Sequence, residues 1–387
     1  MERTYAEINE KIKNGKAVVY TAEEILAVSE EKGFQKTLET VDVVTTATFG
    51  PMCSSGAFLS LGHSDPPIRM ERTWINDVPA YSGIAAVDAY IGATEVSETN
   101  GSKYGGAHVI YDLIAGKELN LHATAKGTDC YPTETIDAII TLDSINEAFL
   151  FNPRNCYQNY GAVTNTSDKT LYTYMGVLHA DMKNISYCTS GELSPLHNDP
   201  YYRTIGIGTR IFLCGAQGYI SWQGTQSNLT RERNEKGIPV GPATTMAVIG
   251  DLKAMDTRYI KPVVIEGYGI SLGVGIGIPI PVLDKEMLEQ LLIRNKNIET
   301  NIIDYGVGRR ERPVVAKVNY EQLQSGTVEI DGRKLRTSTL SSLYKSRKIA
   351  AKLKDEIRTG NFLLQEPIER FAVEGKPLNV LKTTHIK

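Results

Sequence analysis

The chain has 387 residues, 41% of them hydrophobic and 22% charged, with a formal net charge of -3. That is the balance of a water-soluble globular protein, long enough for one large domain or two closely packed ones. The near-neutral charge gives no global field for holding nucleic acid or an anionic membrane, so a charged ligand must be met by individual arginines and backbone amides. No run approaches the roughly 18 uninterrupted apolar residues of a membrane span. The opening Met1-Glu2-Arg3-Thr4-Tyr5 lacks the apolar stretch of an export signal. A cytoplasmic protein with no nucleic-acid or membrane partner is the expectation.

Thr4-Tyr5-Ala6-Glu7 and Thr21-Ala22-Glu23-Glu24 carry the hydroxyl-to-carboxylate spacing of a capping box and predict two helices. Residues 41–48 are β-branched and end in Phe49-Gly50-Pro51, which predicts a strand running into a loop. From there to about residue 280 the chain offers short strand-like runs at 107–113, 119–125, 138–142, 170–178, 205–213 and 263–270. Gly267-Tyr268-Gly269 and Gly273-Val274-Gly275-Ile276-Gly277 suggest a dinucleotide loop, but Ile278-Pro279-Ile280-Pro281 follows and cannot open the helix such a loop requires. Asp284 is placed to cap a helix with Met287, Leu288, Leu291 and Leu292 on one face. Residues 338–358 carry Leu340, Leu343, Tyr344, Leu353 and Ile357 at helical spacing, with Gly360 as the stop and basic residues on a solvated face. The fold class is α+β, a large glycine-rich β portion flanked by N-terminal and C-terminal helices. Residues 1–370 form one domain, with two closely packed subdomains an open option, and 371–387 form a tail.

The five cysteines, Cys53, Cys130, Cys156, Cys188 and Cys214, show no CxxC and no zinc-ribbon spacing. Cys53 follows the predicted strand between Gly50 and Gly56, with Ser54 and Ser55 beside it. Small residues let backbone amides approach a sulfur and stabilise an anion there. Cys130 sits in the turn-rich Lys126-Gly127-Thr128-Asp129-Cys130-Tyr131-Pro132, where a thiolate is favoured by Lys126 and opposed by Asp129. Cys214 reads as a buried strand residue, and Cys156 and Cys188 lie beside tyrosines without an activating pattern. Among polar groups, His63-Ser64-Asp65-Pro66-Pro67-Ile68-Arg69 reads either as acid–base machinery with a carboxylate clamp or as a proline-stiffened turn. In His197-Asn198-Asp199-Pro200 with Arg203 and Arg210, the two arginines are candidate anion hooks, with a surface ion pair the stronger reading for either one.

The segments 43–57 and 62–68, with Gly127-Thr128-Asp129-Cys130-Tyr131-Pro132, residues 204–213 and residues 335–342, resemble the DUF39 family, also called homocysteine biosynthesis proteins. The likeness spans roughly the first 370 residues. It implies an L-aspartate semialdehyde sulfurtransferase, an enzyme of methanogens and other anaerobes. Sulfide is held as a cysteine persulfide, sulfur passes to the aldehyde carbon, and a small ferredoxin-like partner supplies electrons. The family's two cysteines match Cys53 and Cys130. Cys130 is expected to bear the persulfide with Cys53 as its exchange partner, the reverse assignment remaining open; the two sulfurs must then meet in one pocket. By residue type, Arg69, Arg203 or Arg210 would hold the substrate carboxylate and His63 would move protons. Some family members append paired CBS domains, and none is expected here. A homo-oligomer is an open option. No resident cofactor follows firmly; the competing reading is an iron–sulfur protein of a sulfur-relay complex, with the cluster in the partner or held by Cys53 and Cys130.

Overall fold

The computed structural model describes residues 2–384; the last three residues of the expected tail lie outside the described residues. The fold is α+β. Its largest sheet has ten strands in the order Val19–Thr21, Val43–Pro51, Gly269–Pro281, Arg210–Leu213, Ala216–Gln223, Met246–Asp251, Glu147–Asn155, Gly56–Ser60 and Asp88–Gly92, with Ile260–Ile265 added beside Gly269–Pro281. A six-stranded sheet, Val314–Asn319, Glu299–Asp304, Ala162–Thr164, Asn184–Tyr187, Arg333–Thr339 and Thr327–Ile330, carries its own apolar cluster. A four-stranded sheet contains the Leu119–Thr124 and Thr135–Ile140 hairpin that bears Cys130 in its loop.

Chain connectivity forces the large sheet to curl. Val43–Pro51 and Gly56–Ser60 stand six strand spacings apart in the sheet order, roughly 29 Å on a flat sheet at about 4.8 Å each. The chain passes from Pro51 to Gly56 in five residue steps, at most about 18 Å when fully extended. The link is not even extended, since the Ser55 amide donates to the Met52 carbonyl at 3.1 Å. The sheet must therefore roll until these two strands approach each other, and Cys53 lies in the seam.

Val43–Pro51 is buried along nearly its whole length, as its Val-Val-Thr-Thr run predicts for a central strand. Its partner Gly269–Pro281 is one continuous strand of 13 residues, paired from Val43↔Pro281 to Pro51↔Gly273. Pro279 and Pro281 are tolerated because that end of the strand has a ladder partner on one side only. Gly273, Gly275 and Gly277 alternate onto one face. A Cβ on Gly275 would stand 2.7 Å from Ile349 Cδ1, and one on Gly277 would stand 3.0 Å from Ile349 Cγ2. The glycine run that suggests a nucleotide loop is thus a stripe that lets the Leu343–Arg358 helix lie close against the sheet.

The capping boxes form at Thr4/Glu7 and Thr21/Glu24, and Asp284 accepts from the Met287 amide at the head of Lys285–Leu291. Two segments differ from expectation. Residues 107–113 are the helix Gly106–Ile114: Ala107, Val109, Ile110 and Leu113 bury one face, and tertiary packing outweighs the β-branched Val-Ile pair. The last long helix starts only at Leu343, with Ser342 as its cap, because Arg333–Thr339 is taken into the six-stranded sheet.

The His197-Asn198-Asp199-Pro200 loop is interior. Asp199 accepts from the amides of Arg203, Thr204 and Ile205 and from the Thr204 hydroxyl. His197 donates Nδ1–H to the Gly191 carbonyl at 2.7 Å, and burial pushes its imidazole down to about 4. In the unfolded chain it takes up a proton near 6.5. Between those two values the unfolded state binds a proton that the folded state refuses, so stability falls as pH drops through this window, by up to about 3 kcal/mol. Urea midpoints measured across it should fall less steeply in His197→Gln than in the parent. Separately, Gly275→Ala should lose about 1–3 kcal/mol by overpacking against Ile349, whereas Gly92→Ala, with nothing within 4 Å of the new Cβ, should leave the unfolding midpoint nearly unmoved.

Candidate active site

The seam holds a cavity of about 480 Å³. From the large sheet come Thr48, Gly50 and Pro51, then Met52, Cys53 and Ser54 of the link. Arg154, Cys156, Tyr157 and Tyr160 enter from the end of Glu147–Asn155 and the loop after it. Tyr174, Met175, Cys188, Leu340 and Ser341 close the side toward the six-stranded sheet. Residues 226–242 contribute Gln226, Asn228, Arg231 and Pro242, the tip of the 260–281 hairpin contributes Tyr268, and the tail reaches in with Leu378.

The link is clasped by Asn152, which is fully buried. Its Oδ1 accepts from Ser54 Oγ at 2.7 Å and from the Arg154 amide at 2.8 Å, while its Nδ2 donates to Ser55 Oγ at 2.9 Å. On the other side the Met52 amide donates to the Leu272 carbonyl at 2.7 Å, and Cys53 Sγ donates to Ser271 Oγ at 3.4 Å. Gly56 lets the strand leave tightly: a Cβ there would meet the Tyr90 hydroxyl at 2.2 Å and the Ile91 carbonyl at 2.7 Å. Cys53 is half-buried with its sulfur on the cavity.

Among the described residues Arg154 and Arg231 are the charged side chains of the lining, with no Asp, Glu, Lys or His beside them. Arg154 Nε donates to Thr225 Oγ1 at 3.2 Å and Arg231 Nε to the Pro242 carbonyl at 3.3 Å. Neither has an ion-pair partner among the described residues. Two positive charges facing a partly closed space attract an anion and stabilise negative charge that develops there. Burial pushes the Cys156 thiol up to about 12 and raises that of Cys188, so both remain protonated and poorly nucleophilic. Tyr268 stands beside Cys53. Burial, then the Cys53 and Tyr174 groups, raise its phenol, which stays a hydrogen-bond donor.

Of the residues expected to act in the site, Cys53, Cys130, His63, Arg69, Arg203 and Arg210, Cys53 alone lines this cavity; Cys156 and Cys188, which have no activating pattern in the sequence, line it as well. Cys130 is exposed in a tight turn in which Thr128 and Tyr131 exchange backbone hydrogen bonds of 2.8 and 3.1 Å. His63 stacks on Tyr131 at 6.1 Å, and Thr133 Oγ1 donates to the Pro66 carbonyl at 2.8 Å. Cys130 and His63 are thus gathered together, with exposed Arg69 on the same stretch of chain, but beyond the far end of Gly56–Ser60 from Cys53. That strand alone spans about 13 Å. Arg203 pairs with Asp284 and Glu286, and Arg210 donates to the Leu363 carbonyl at 3.3 Å; both are committed outside the cavity. Cys214 is buried where Arg210–Leu213 turns into Ala216–Gln223. Among the described residues no three His, Cys, Asp or Glu side chains converge as a metal-ligand set. Arg154, Arg231 and the tyrosines were not legible as site residues. The one available signal was the density of tyrosine around Cys156 and Cys188.

A half-buried thiol thus lines a cavity at the seam of a rolled sheet, together with two guanidiniums that have no ion-pair partner among the described residues. The chain belongs to a family described as homocysteine biosynthesis enzyme, sulfur-incorporation, whose model matches residues 17–364. It is 49% identical over 383 residues to an L-aspartate semialdehyde sulfurtransferase of Methanosarcina acetivorans, covering 99% of this chain and 75% of that relative. It is 48% identical over 392 residues to a protein of the same name from Methanocaldococcus jannaschii, covering 97% of this chain and 75% of the relative. No solved structure matches the chain. No helix among the described residues is long and apolar enough to cross a membrane.

The cavity's charge can be read chemically without its substrate. With Cys130 replaced by Ser, Cys53 should react with iodoacetate faster, relative to neutral iodoacetamide, than a free thiol does. Replacing Arg154 and Arg231 together by Gln should remove about 10-fold of the iodoacetate rate and spare the iodoacetamide rate. Equal losses for both reagents would show that the arginines shape the cavity without setting its field.

Proposed function

We propose that this chain forms homocysteine from L-aspartate semialdehyde and sulfide, with Cys53 as the thiol at the reacting carbon. The observation that carries the reading is a cavity with Cys53 on its wall and two arginines as its charged groups, in a member of a sulfur-incorporating family. The names of the two relatives supply the substrate. In the net reaction the aldehyde oxygen leaves as water, sulfide supplies the sulfur, and two electrons and two protons complete the thiol. Arg154 and Arg231 hold the carboxylate, and the Tyr268 hydroxyl donates to the aldehyde oxygen as negative charge develops on it.

Cys130 is the solvent-facing carrier in this scheme. An exposed thiol is one that a small disulfide, sulfide and a ferredoxin-like reductant can each reach. The disulfide converts Cys130 to a mixed disulfide, sulfide displaces the small thiol and leaves the persulfide, and the reductant returns those two electrons when the sulfur is transferred. Exchange requires sulfur–sulfur contact, and Cys130 lies outside the cavity. Delivery to Cys53 therefore needs its hairpin loop to swing in, or the same loop of a second copy to be presented.

Anaerobic incubation with sulfide, aspartate semialdehyde and a strong reductant should yield homocysteine. Cys53→Ser should lower the rate by about 10³-fold or more. After treatment with a small disulfide followed by sulfide, intact-protein mass should show one extra sulfur atom in the parent and in Cys53→Ser but not in Cys130→Ser. An adduct that persists in Cys130→Ser would move the carrier role to another cysteine, and absence of homocysteine would reject the reaction.

A further inference from the structure

The proposed substrate is a zwitterion, and the arginines account for only its carboxylate. Its ammonium must sit next to them, because both groups share one carbon. Among the described residues no carboxylate lines the cavity to pair with that ammonium. Aromatic side chains stand there instead. Tyr157 lies near enough to Arg154 for the guanidinium to favour its phenolate against the opposing effect of burial. The Tyr157 and Tyr160 rings meet edge to face at 4.6 Å and 86°, and those of Tyr160 and Tyr174 at 6.3 Å and 90°. Rings at right angles form the walls of a corner. The face of an aromatic ring carries negative potential that attracts a cation, most strongly where water is excluded. The same cluster already seats one cation in this way: Arg312 Cζ lies 3.8 Å from the centre of the Tyr305 ring, and the Tyr305 hydroxyl is hydrogen-bonded to that of Tyr174.

We infer that Tyr157, Tyr160 and Tyr174 form an aromatic box for the α-ammonium of an amino-acid substrate, adjoining the carboxylate site at Arg154. The inference rests on the proposed reaction for the identity of the substrate, but it makes its own claim. The enzyme selects an α-amino aldehyde over the same aldehyde without the amino group, and it does so by cation–π contact rather than by an ion pair. Cys53 and Tyr268 then face the other end of the substrate.

L-homoserine and 4-hydroxybutyrate serve as unreactive probes that differ only in the ammonium. Calorimetry on the full chain should show L-homoserine binding at least about 10-fold more tightly. Tyr160→Phe should keep that preference, because the ring face is retained. Tyr160→Leu and Tyr157→Leu should reduce it to about 2-fold or less, L-homoserine losing more affinity than 4-hydroxybutyrate. Should the leucine variants fail to fold, fluorinated phenylalanines at position 160 preserve the ring's shape, and the preference should fall stepwise with each fluorine. Equal affinity for the two probes in the parent, failure of both to bind, or a preference indifferent to leucine or fluorine would overturn the box. Homocysteine formation is assayed in parallel. Probe preference without homocysteine leaves the box and removes the reaction; homocysteine without probe preference does the reverse.

Discussion

The structure depends on a short piece of chain. Four residues, Met52 to Ser55, join two strands that the hydrogen-bond order of the large sheet places six spacings apart. A link of that length cannot span a flat sheet, so the sheet rolls and its two distant strands meet at the link. Asn152 holds the closure by bonding Ser54, Ser55 and the Arg154 amide. Position of the thiol and closure of the sheet are therefore one constraint. The cavity exists where the rolled sheet, the Tyr157–Tyr160 loop and the six-stranded sheet come together around Cys53.

Chemical division within the cavity follows from burial. Three of the five cysteines line it, but Cys156 and Cys188 are held as thiols by desolvation. Their packing fills the wall behind the tyrosines. Positive charge comes from Arg154 and Arg231, with no carboxylate opposing it in the lining among the described residues. In the proposed reaction the same field binds the substrate and stabilises the oxygen as it gains charge, which a neutral wall would not do.

Cys130 belongs to a separate surface. Its turn, the stacked pair His63 and Tyr131, and the Pro66–Thr133 hydrogen bond make a compact exposed unit. The two thiols thus have different surroundings, one facing solvent and the other an enclosed cavity. In the proposed persulfide cycle one unit has to reach the other, so the loop between Leu119–Thr124 and Thr135–Ile140, from the same chain or a second copy, is the part that must be brought to Cys53.

Local chemistry was readable without the fold. The Thr4 and Thr21 capping boxes, the Asp284 cap, the Val-Val-Thr-Thr strand before Cys53 and the small residues around that cysteine all act over a few residues, so each could be inferred from spacing. The exclusion of a nucleotide loop by Pro279 and Pro281 was of the same kind. Long-range contacts were not readable. Arg154 and Arg231 are 77 positions apart, and they face one cavity only because the sheet rolls. Arg203, with the same local character, is spent on Asp284. The 106–114 helix was read as a strand because its Val-Ile pair speaks locally for β, while the packing that overrules it comes chiefly from Ile260–Ile265, with Gly269–Pro281, Gly56–Ser60 and Asp88–Gly92. Sequence by itself determined which groups were able to react and where the chain could turn. The tertiary structure alone decided which of them share a space, because pairing strands distant in sequence is a property of the closed sheet and not of any segment.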